Sequence, residues 1–572
     1  MPLPNLVPAD GLVDVQQTTF ALDAMGRYTC STWDEATASG RPPFTAVVVG
    51  AGMYGAYCAV KLFRRKPNTR VLLLDAGRFL VSEHVQNLAR VGLNVASPIT
   101  PSQDPGVARE LVWGLPWRGN VDFPGLAYCT GGKSIYWGGW CPRFTNTDLQ
   151  QWPAATRQFL QDNYTDVESE TGVVPATDFI FGELLDVLQP EVLAATPMVA
   201  DIELIVGDKG VEPAPLAVQG SAPASGLFSF DKFSSLPLLV DAIRDDVSAS
   251  GVNDANRRLF LVPVAHVVKL HTSGGTVHTI EVDVGGQRRF LDITPQCAVV
   301  LAASAVESTR IALHSFPTPL MGRNLMAHVR SDFTVRVRRA AFPTLPAHVQ
   351  TAALLVRGLT PQGRFHLQVT ASTHSSGSDE LLFRMIPDLD ILSAQLANQD
   401  PDWVTITFRG IGQMRGDRAT PVPNADGSWI DLSPFENDEY GVPRAYVQIK
   451  AHADDLLVWE KMDAAAVALA RAIAKAPGNI QYLYDGGWKD QPFPLNRSFP
   501  EWHRGLGTTY HESGTLWMGT DPNASVTNDV GRFHHVNNAY ACDQSLFPTV
   551  GSVNPVLTGL TLARRIAEEI AP

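Results

Sequence analysis

Hydrophobic positions along this chain fall into short unbroken runs and longer periodic ones. Thr45–Val49 (TAVVV) and Arg70–Leu74 (RVLLL) are aliphatic runs of strand length, the pattern of strands buried on both faces of a sheet. The stretch between them predicts a helix from about Met53 to Arg65. A third run, Ala298–Leu301, turns through Ala302, Ala303 and Ser304 into a helix that continues past Arg310 and Leu313. Val404–Phe408 (VTITF) reads as a strand and Ala453–Ala474 as a long helix. The C-terminus predicts a helix whose apolar face is Leu557, Leu560, Ala563, Ala567 and Ile570. Strand, helix and parallel strand in succession point to an α/β sheet, with a different mixture of elements in the middle of the chain.

The turn after the first strand is Gly50-Ala-Gly-Met-Tyr-Gly55, and the second strand ends at Asp75, 20 residues beyond Gly55. Gly50 permits the tight turn, Gly52 lets the backbone approach a pyrophosphate, and Gly55 allows the helix to pack closely on the strand. The helix opening at Met53 and Tyr54 offers free N–H groups and a positive dipole end to an anion. Asp75, followed by Ala76, is placed to accept hydrogen bonds from ribose hydroxyls. A glycine pattern alone is often only a turn. With strand, helix, second strand and terminal acid in order, it predicts a dinucleotide site, NAD and FAD both remaining open.

Composition narrows the class. At 572 residues the chain exceeds the roughly 250–300 that one hydrophobic core serves, so two or more domains are expected. Apolar residues at 45% and charged residues at 18% are ordinary for a folded protein. The net charge of −13, with only short basic clusters at Arg64–Lys66 and Arg336–Arg339, argues against nucleic acid as a partner. No apolar run approaches the roughly 20 residues of a membrane-spanning helix. Met1–Gly40 lacks the basic and apolar regions of a signal peptide, so a cytoplasmic location is expected. The six cysteines form no CxxC pair, which fits buried thiols and predicts neither a disulfide framework nor a metal site.

Three further segments carry a resemblance. Thr130-Gly-Gly-Lys-Ser-Ile-Tyr-Trp137 continues into Gly138, Gly139, Trp140 and Arg143. Ala298–Ser308 is followed by Met321–His328 (MGRNLMAH). The C-terminus holds His511-Glu-Ser-Gly-Thr-Leu-Trp-Met-Gly519, then Asn538–Pro548 (NAYACDQSLFP) and Gly551-Ser-Val-Asn-Pro555. In this order they resemble the glucose-methanol-choline (GMC) oxidoreductases, with the first segment most similar to that of pyranose oxidases. The resemblance implies FAD rather than NAD. It implies a Rossmann-like FAD-binding domain (45–143, 254–330 and 505–572) beneath a discontinuous α+β substrate domain (144–253 and 331–504) on a mostly antiparallel sheet, of the p-hydroxybenzoate hydroxylase-like kind. Residues 1–44 then form an arm over the main body.

The resemblance also implies roles. Gly131, Gly132, Ser134, Tyr136, Trp137 and Gly138 lie along the flavin, and Ala303, Asp543, Asn554, Pro555 and Thr558 complete its site. Tyr136 stands where pyranose oxidases carry the histidine bonded to flavin, which implies FAD held without a covalent link. His511 and Asn554 match the catalytic pair, His511 as a base with pKa near the working pH and Asn554 as the group that holds the substrate oxygen. Asn554 also reads as the N-cap of the last helix, with Pro555 its first residue. His328 reads more simply as a structural histidine. The implied reaction is hydride transfer from an alcohol, here of a sugar or glycoside, to flavin N5, with O2 or another electron acceptor reoxidising the flavin. The alternatives are a sugar-acid or alcohol dehydrogenase, a hydroxynitrile lyase of the same fold, a flavin-binding protein without catalysis, and an NAD-dependent dehydrogenase.

Overall fold

The structure is a computed structural model that describes residues 29–87, 113–114, 117–120, 125–174, 182–202, 211–219, 231–250, 254–373, 379–398, 400–419, 422, 424–498 and 500–572. The predicted unit forms as strand Ala46–Val49, helix Met53–Arg65 and strand Val71–Leu74. Its strands belong to a five-stranded, wholly parallel sheet in the order Leu259–Val262, Val71–Leu74, Ala46–Val49, Ala298–Leu301, Ala539–Ala541. Every residue of the three central strands is buried, which is why their runs are unbroken. Helix Met53–Arg65 packs against Ser235–Ser250 and the C-terminal helix Val556–Ile570. On the sheet edge, Ser31 N–H donates to Leu261 O (2.7 Å), tying down the described part of the N-terminal segment.

A second, eight-stranded sheet is antiparallel. Its order is Gly487–Lys489, Ile480–Tyr484, His328–Arg338, Trp403–Gln413, Arg364–Thr373, Thr351–Leu359, Val211–Pro213, with His503–Arg504 also paired to His328–Arg338. The predicted helix Ala453–Ala474 covers one face of it. Gly410 makes that close approach possible, since a Cβ there would lie 2.8 Å from the Met462 side chain.

Period-2 alternation splits the central strands into two sets. Val329, Phe333, Val335, Phe365, Leu367 and Val369 are apolar and join the core. The intervening positions are, apart from Ile411, polar and by register line up in rows: Arg330, Ile411 and His366 in one, Asp332, Arg409 and Gln368 in the next. That polar face is turned not to water but to the C-terminal ends of the parallel strands. The segment Asp379–Met385 and Leu389–Leu396 lies across it and brings in Asp388 and Asp390.

Two segments that the sequence marks as possible pocket loops, Phe228–Phe233 and Thr373–Asp379, fall largely outside the described residues. All six cysteines are buried. No helix among the described residues is long and apolar enough to cross a membrane.

Candidate active site

One cavity of about 1020 Å³ lies between the ends of the parallel strands and the polar face of the antiparallel sheet. It is lined by Gly50, Gly52, Met53 and Tyr54 from the first turn, by Asp75 and Ala76, and by Gly132, Ser134, Tyr136, Trp137 and Gly138. Ala303, Asp543, His511 and Asn554 complete the set of expected residues on its wall. Four expected contact residues are not on that wall. Gly55 packs inward, because its close neighbour is the Gly50 carbonyl. Gly131 serves the turn at φ +90°, and Pro555 occupies the N-cap of the last helix. Thr558 is one turn too deep, its hydroxyl 2.8 Å from that of buried Tyr164.

The first-turn side of the cavity suits a dinucleotide. A Cβ at Gly50 would lie 2.5 Å from Ala302 O, whereas one at Gly52 would meet nothing within 4 Å among the described residues, so open space faces the backbone there. Among the described residues no side chain caps the helix that starts at Met53, which leaves its N–H groups for an anion. Asp75 accepts from Ala51 N–H (2.7 Å) and Gly77 N–H (2.8 Å) and keeps lone pairs for hydroxyl donors. Burial pushes its pKa up to about 6. Further along, Ser308 Oγ–H donates to Asp543 (2.6 Å), while Ala303 N–H donates to Ser308 Oγ (3.0 Å). The residues present therefore fit FAD.

The catalytic candidates meet through backbone pairing. Met326 and Ser513 exchange N–H···O=C bonds of 3.0 and 2.9 Å, which sets His328 beside His511. The two rings cross at 86° with their Nδ1 atoms 2.8 Å apart, and His328 Nε2 lies 3.1 Å from Gly551 O. His511 Nε2 is 3.5 Å from Asn554 Nδ2. Asn554 does not cap the last helix: its Oδ1 accepts from Gln368 Nε2 (2.7 Å). Gln368 Nε2 also reaches His366 Nε2 (3.1 Å), and His366 Nδ1 is bonded to Ser552 O. Both hydrogens of the Gln368 amide are thereby used, and the buried Oε1 of this cavity-lining residue has no partner among the described residues. Sequence patterning singles out neither His366 nor Gln368, and it assigns His328 only a structural part.

Burial, with His328 and His366 close by, lowers His511 well below 6.5, so it does not titrate near neutrality as expected. Burial likewise lowers His328 to about 4 and His366 to about 3. All three rings are neutral at pH 7.

Beyond the histidines the wall is charged but balanced. Arg409 Nη1 and Nη2 meet Asp388 (2.9 Å) and Asp390 (2.5 Å), and its Nε meets Asp332 (3.1 Å). Arg330 bonds Asp332 (2.7 Å) and Asp390 (2.5 Å), and Arg504 bonds Asp332 (2.9 Å). Asp388 also accepts from Trp140 Nε1 (2.9 Å), which joins that ring to this network.

Comparison with known proteins agrees with this architecture. Residues 423–563 match the GMC oxidoreductase family model. The chain is 25% identical over 276 residues to a C-glycoside 3-oxidase of Microbacterium trichothecenolyticum, covering 48% of this chain and 46% of that protein. It is 30% identical over 142 residues to a 2-methyl-1,2-propanediol dehydrogenase of Mycolicibacterium austroafricanum, covering 25% and 22%. These alignments span less than half the length of the curated relatives. Solved structures of similar fold include pyridoxine 4-oxidase from Mesorbium loti (TM-score 0.53, 16% identity, 92% of this chain and 98% of that one). A variant of Aspergillus oryzae RIB40 formate oxidase, solved to follow FAD modification, is another (TM-score 0.57, 16% identity, the same coverage). The C-terminal segment thus matches the GMC oxidoreductase family, whose members bind FAD, and the fold of the chain is shared with the two solved oxidases.

Proposed function

We propose that the protein oxidises a secondary alcohol of a sugar or glycoside to the ketone, and that FAD, when bound, supplies the hydride acceptor. The observation that carries this reading is the pairing of His511 Nε2 with Asn554 Nδ2 at 3.5 Å on the cavity wall. Side by side they offer an acceptor for the hydroxyl proton and a donor for the oxygen it leaves. Gly50, Gly52 and Asp75 hold the adenosine diphosphate half of the cofactor. Gly132, Ser134, Tyr136, Trp137 and Gly138 lie along the flavin half, without a covalent link through Tyr136. The cofactor domain comprises 45–143, 254–330 and 505–572, and the rest after residue 143 forms the substrate domain.

The substrate class follows from the wall. Arg330, Arg409 and Arg504 are matched by Asp332, Asp388 and Asp390, so this side of the cavity carries no net charge. It is rich in hydrogen-bonding groups, and Gln368 Oε1 awaits a donor. Such a wall suits several neutral hydroxyls and disfavours a carboxylate or an ammonium, either of which would be desolvated without a counter-charge. One curated relative is named for a C-glycoside and another for a 1,2-diol, both neutral and hydroxylated.

Anaerobic titration of the purified flavoprotein with monosaccharides, glycosides, sugar acids and simple alcohols tests the reading. A neutral sugar or glycoside is expected to bleach the flavin, and the uronic acid of the same ring to fail. Recovery of colour on admitting air identifies O2 as acceptor, and persistent bleaching identifies a dehydrogenase. If no alcohol bleaches the flavin, the oxidoreductase reading falls and a lyase remains.

The cofactor assignment has its own test. A Cβ on Gly55 would stand 1.9 Å from the Gly50 carbonyl oxygen, a backbone atom that cannot yield without moving strand from helix. Gly55→Ala is expected to purify colourless, whereas acid-precipitated wild type releases its whole flavin into the supernatant. Flavin that stays with the pellet would refute the non-covalent assignment.

A further inference from the structure

We infer that His328 is a positioning residue that fixes the tautomer of His511, holding the proton on Nδ1 and leaving Nε2 as a lone pair toward the cavity. This rests on the reading of His511 as the base. The hydrogens around the two rings can be counted. Gly551 O can only accept, so the 3.1 Å contact requires His328 Nε2 to carry a hydrogen. His328 is fully buried and neutral at pH 7, burial holding it near 4. Its Nδ1 is therefore a lone pair. The Nδ1 atoms of His328 and His511 are 2.8 Å apart, a distance at which one must donate, and only His511 can. With His511 also neutral, its single hydrogen is spent, and Nε2 is unprotonated where it faces Asn554 and the cavity.

The second arm of the network sets Asn554 by the same logic. His366 Nδ1 donates to Ser552 O, so His366 Nε2 accepts from Gln368. Gln368 gives its other hydrogen to Asn554 Oδ1, which turns the Asn554 amide nitrogen toward His511. Two backbone carbonyls, of Gly551 and Ser552, thus determine which atoms of the base and its neighbour face the substrate. In Ser-His-Asp sites a carboxylate performs the orienting task. Here a neutral imidazole does so, adding no charge to a wall that is otherwise balanced.

The direct test is two-bond ¹H–¹⁵N correlation of the wild-type holoenzyme labelled with ¹⁵N-histidine, the His511 signals being assigned by their loss in His511→Gln. The expected spectrum shows His511 protonated at Nδ1 and bare at Nε2. The opposite tautomer would overturn the inference, whether or not His511 is the base. Kinetically, His328→Leu leaves the His511 Nδ1–H without an acceptor and favours the wrong tautomer. Flavin reduction is expected to slow about 10- to 100-fold with substrate KM little changed. His328→Asn, whose Oδ1 can accept in place of Nδ1, is expected to recover most of the rate. A flavin-replete His328→Leu that reduces at the wild-type rate would likewise refute the role.

Discussion

Replacement of His511 by alanine is expected to slow anaerobic flavin reduction by about 10²- to 10⁴-fold, the range over which a positioned general base acts. The effect belongs to the chemical step. In the proposed reading His511 Nε2, beside Asn554 on the cavity wall, takes the hydroxyl proton, whereas substrate hydroxyls would also meet Gln368 and the arginine–aspartate network, so apparent binding should change little. Stopped-flow reduction at saturating substrate, with flavin content as a control for folding, separates the two. Bleaching at the wild-type rate would remove His511 from the chemistry.

The same burial sets the pH dependence. His511 is held well below its ordinary 6.5, first by desolvation and then by the histidines and cations around it. A base with a depressed pKa is fully in its neutral form at 6.5 and above, and loses that form only as pH falls through the lower value in the folded protein. The reduction rate is therefore expected to show no histidine limb around neutrality, and its acid limb to lie well below 6.5. A limb centred near 6.5 would mean that the ring is open to water when the enzyme turns over.

Features written locally in the chain were legible in the sequence. The runs at Thr45–Val49, Arg70–Leu74 and Ala298–Leu301 are unbroken because those strands are buried on both faces, and they pair as a parallel sheet. Gly50 and Gly52 of the turn, Asp75 and the histidine that opens the C-terminal run all reach one cavity. The other half of the site is written across the register of distant strands. Arg-Phe-His-Leu-Gln-Val-Thr (364–370) alternates polar and apolar residues, and one-dimensional pattern reads its polar face as facing solvent. In the fold both faces are buried, because the polar one is turned toward the cavity between the two sheets.

Nothing in alternation distinguishes water from a second domain. His366, Gln368, Arg330 and Arg409 were invisible for that reason. Asn554 shows the complementary error. Local rules make it a helix cap, but Pro555 occupies the cap position and Gln368, 186 residues away, captures the side chain. Local propensity gave way to a tertiary hydrogen bond beside the cavity.

Arg409 gives the second large effect. Its guanidinium bonds three carboxylates, of Asp332, Asp388 and Asp390, with a side chain only 7% exposed. Burial would raise Asp332, but Arg330 and Arg409 outweigh it and hold it near 2. Arg409→Met keeps most of the volume and removes the charge, leaving three acids to Arg330 and Arg504. Loss of one partner from a buried network costs about 3–5 kcal/mol, which should appear as a clear fall in the urea midpoint. The sign of its pH dependence separates charge from packing. In the wild type the depressed Asp332 stabilises the fold above the pKa of the unfolded chain, and that stability is lost as pH falls through the folded value. Without Arg409 the carboxylates rise instead, so the variant's deficit should be largest at neutral pH and shrink as acid neutralises them. A deficit that stays constant with pH would assign the loss to packing. It would also remove the charge-balanced wall from the argument for a neutral, hydroxyl-rich substrate.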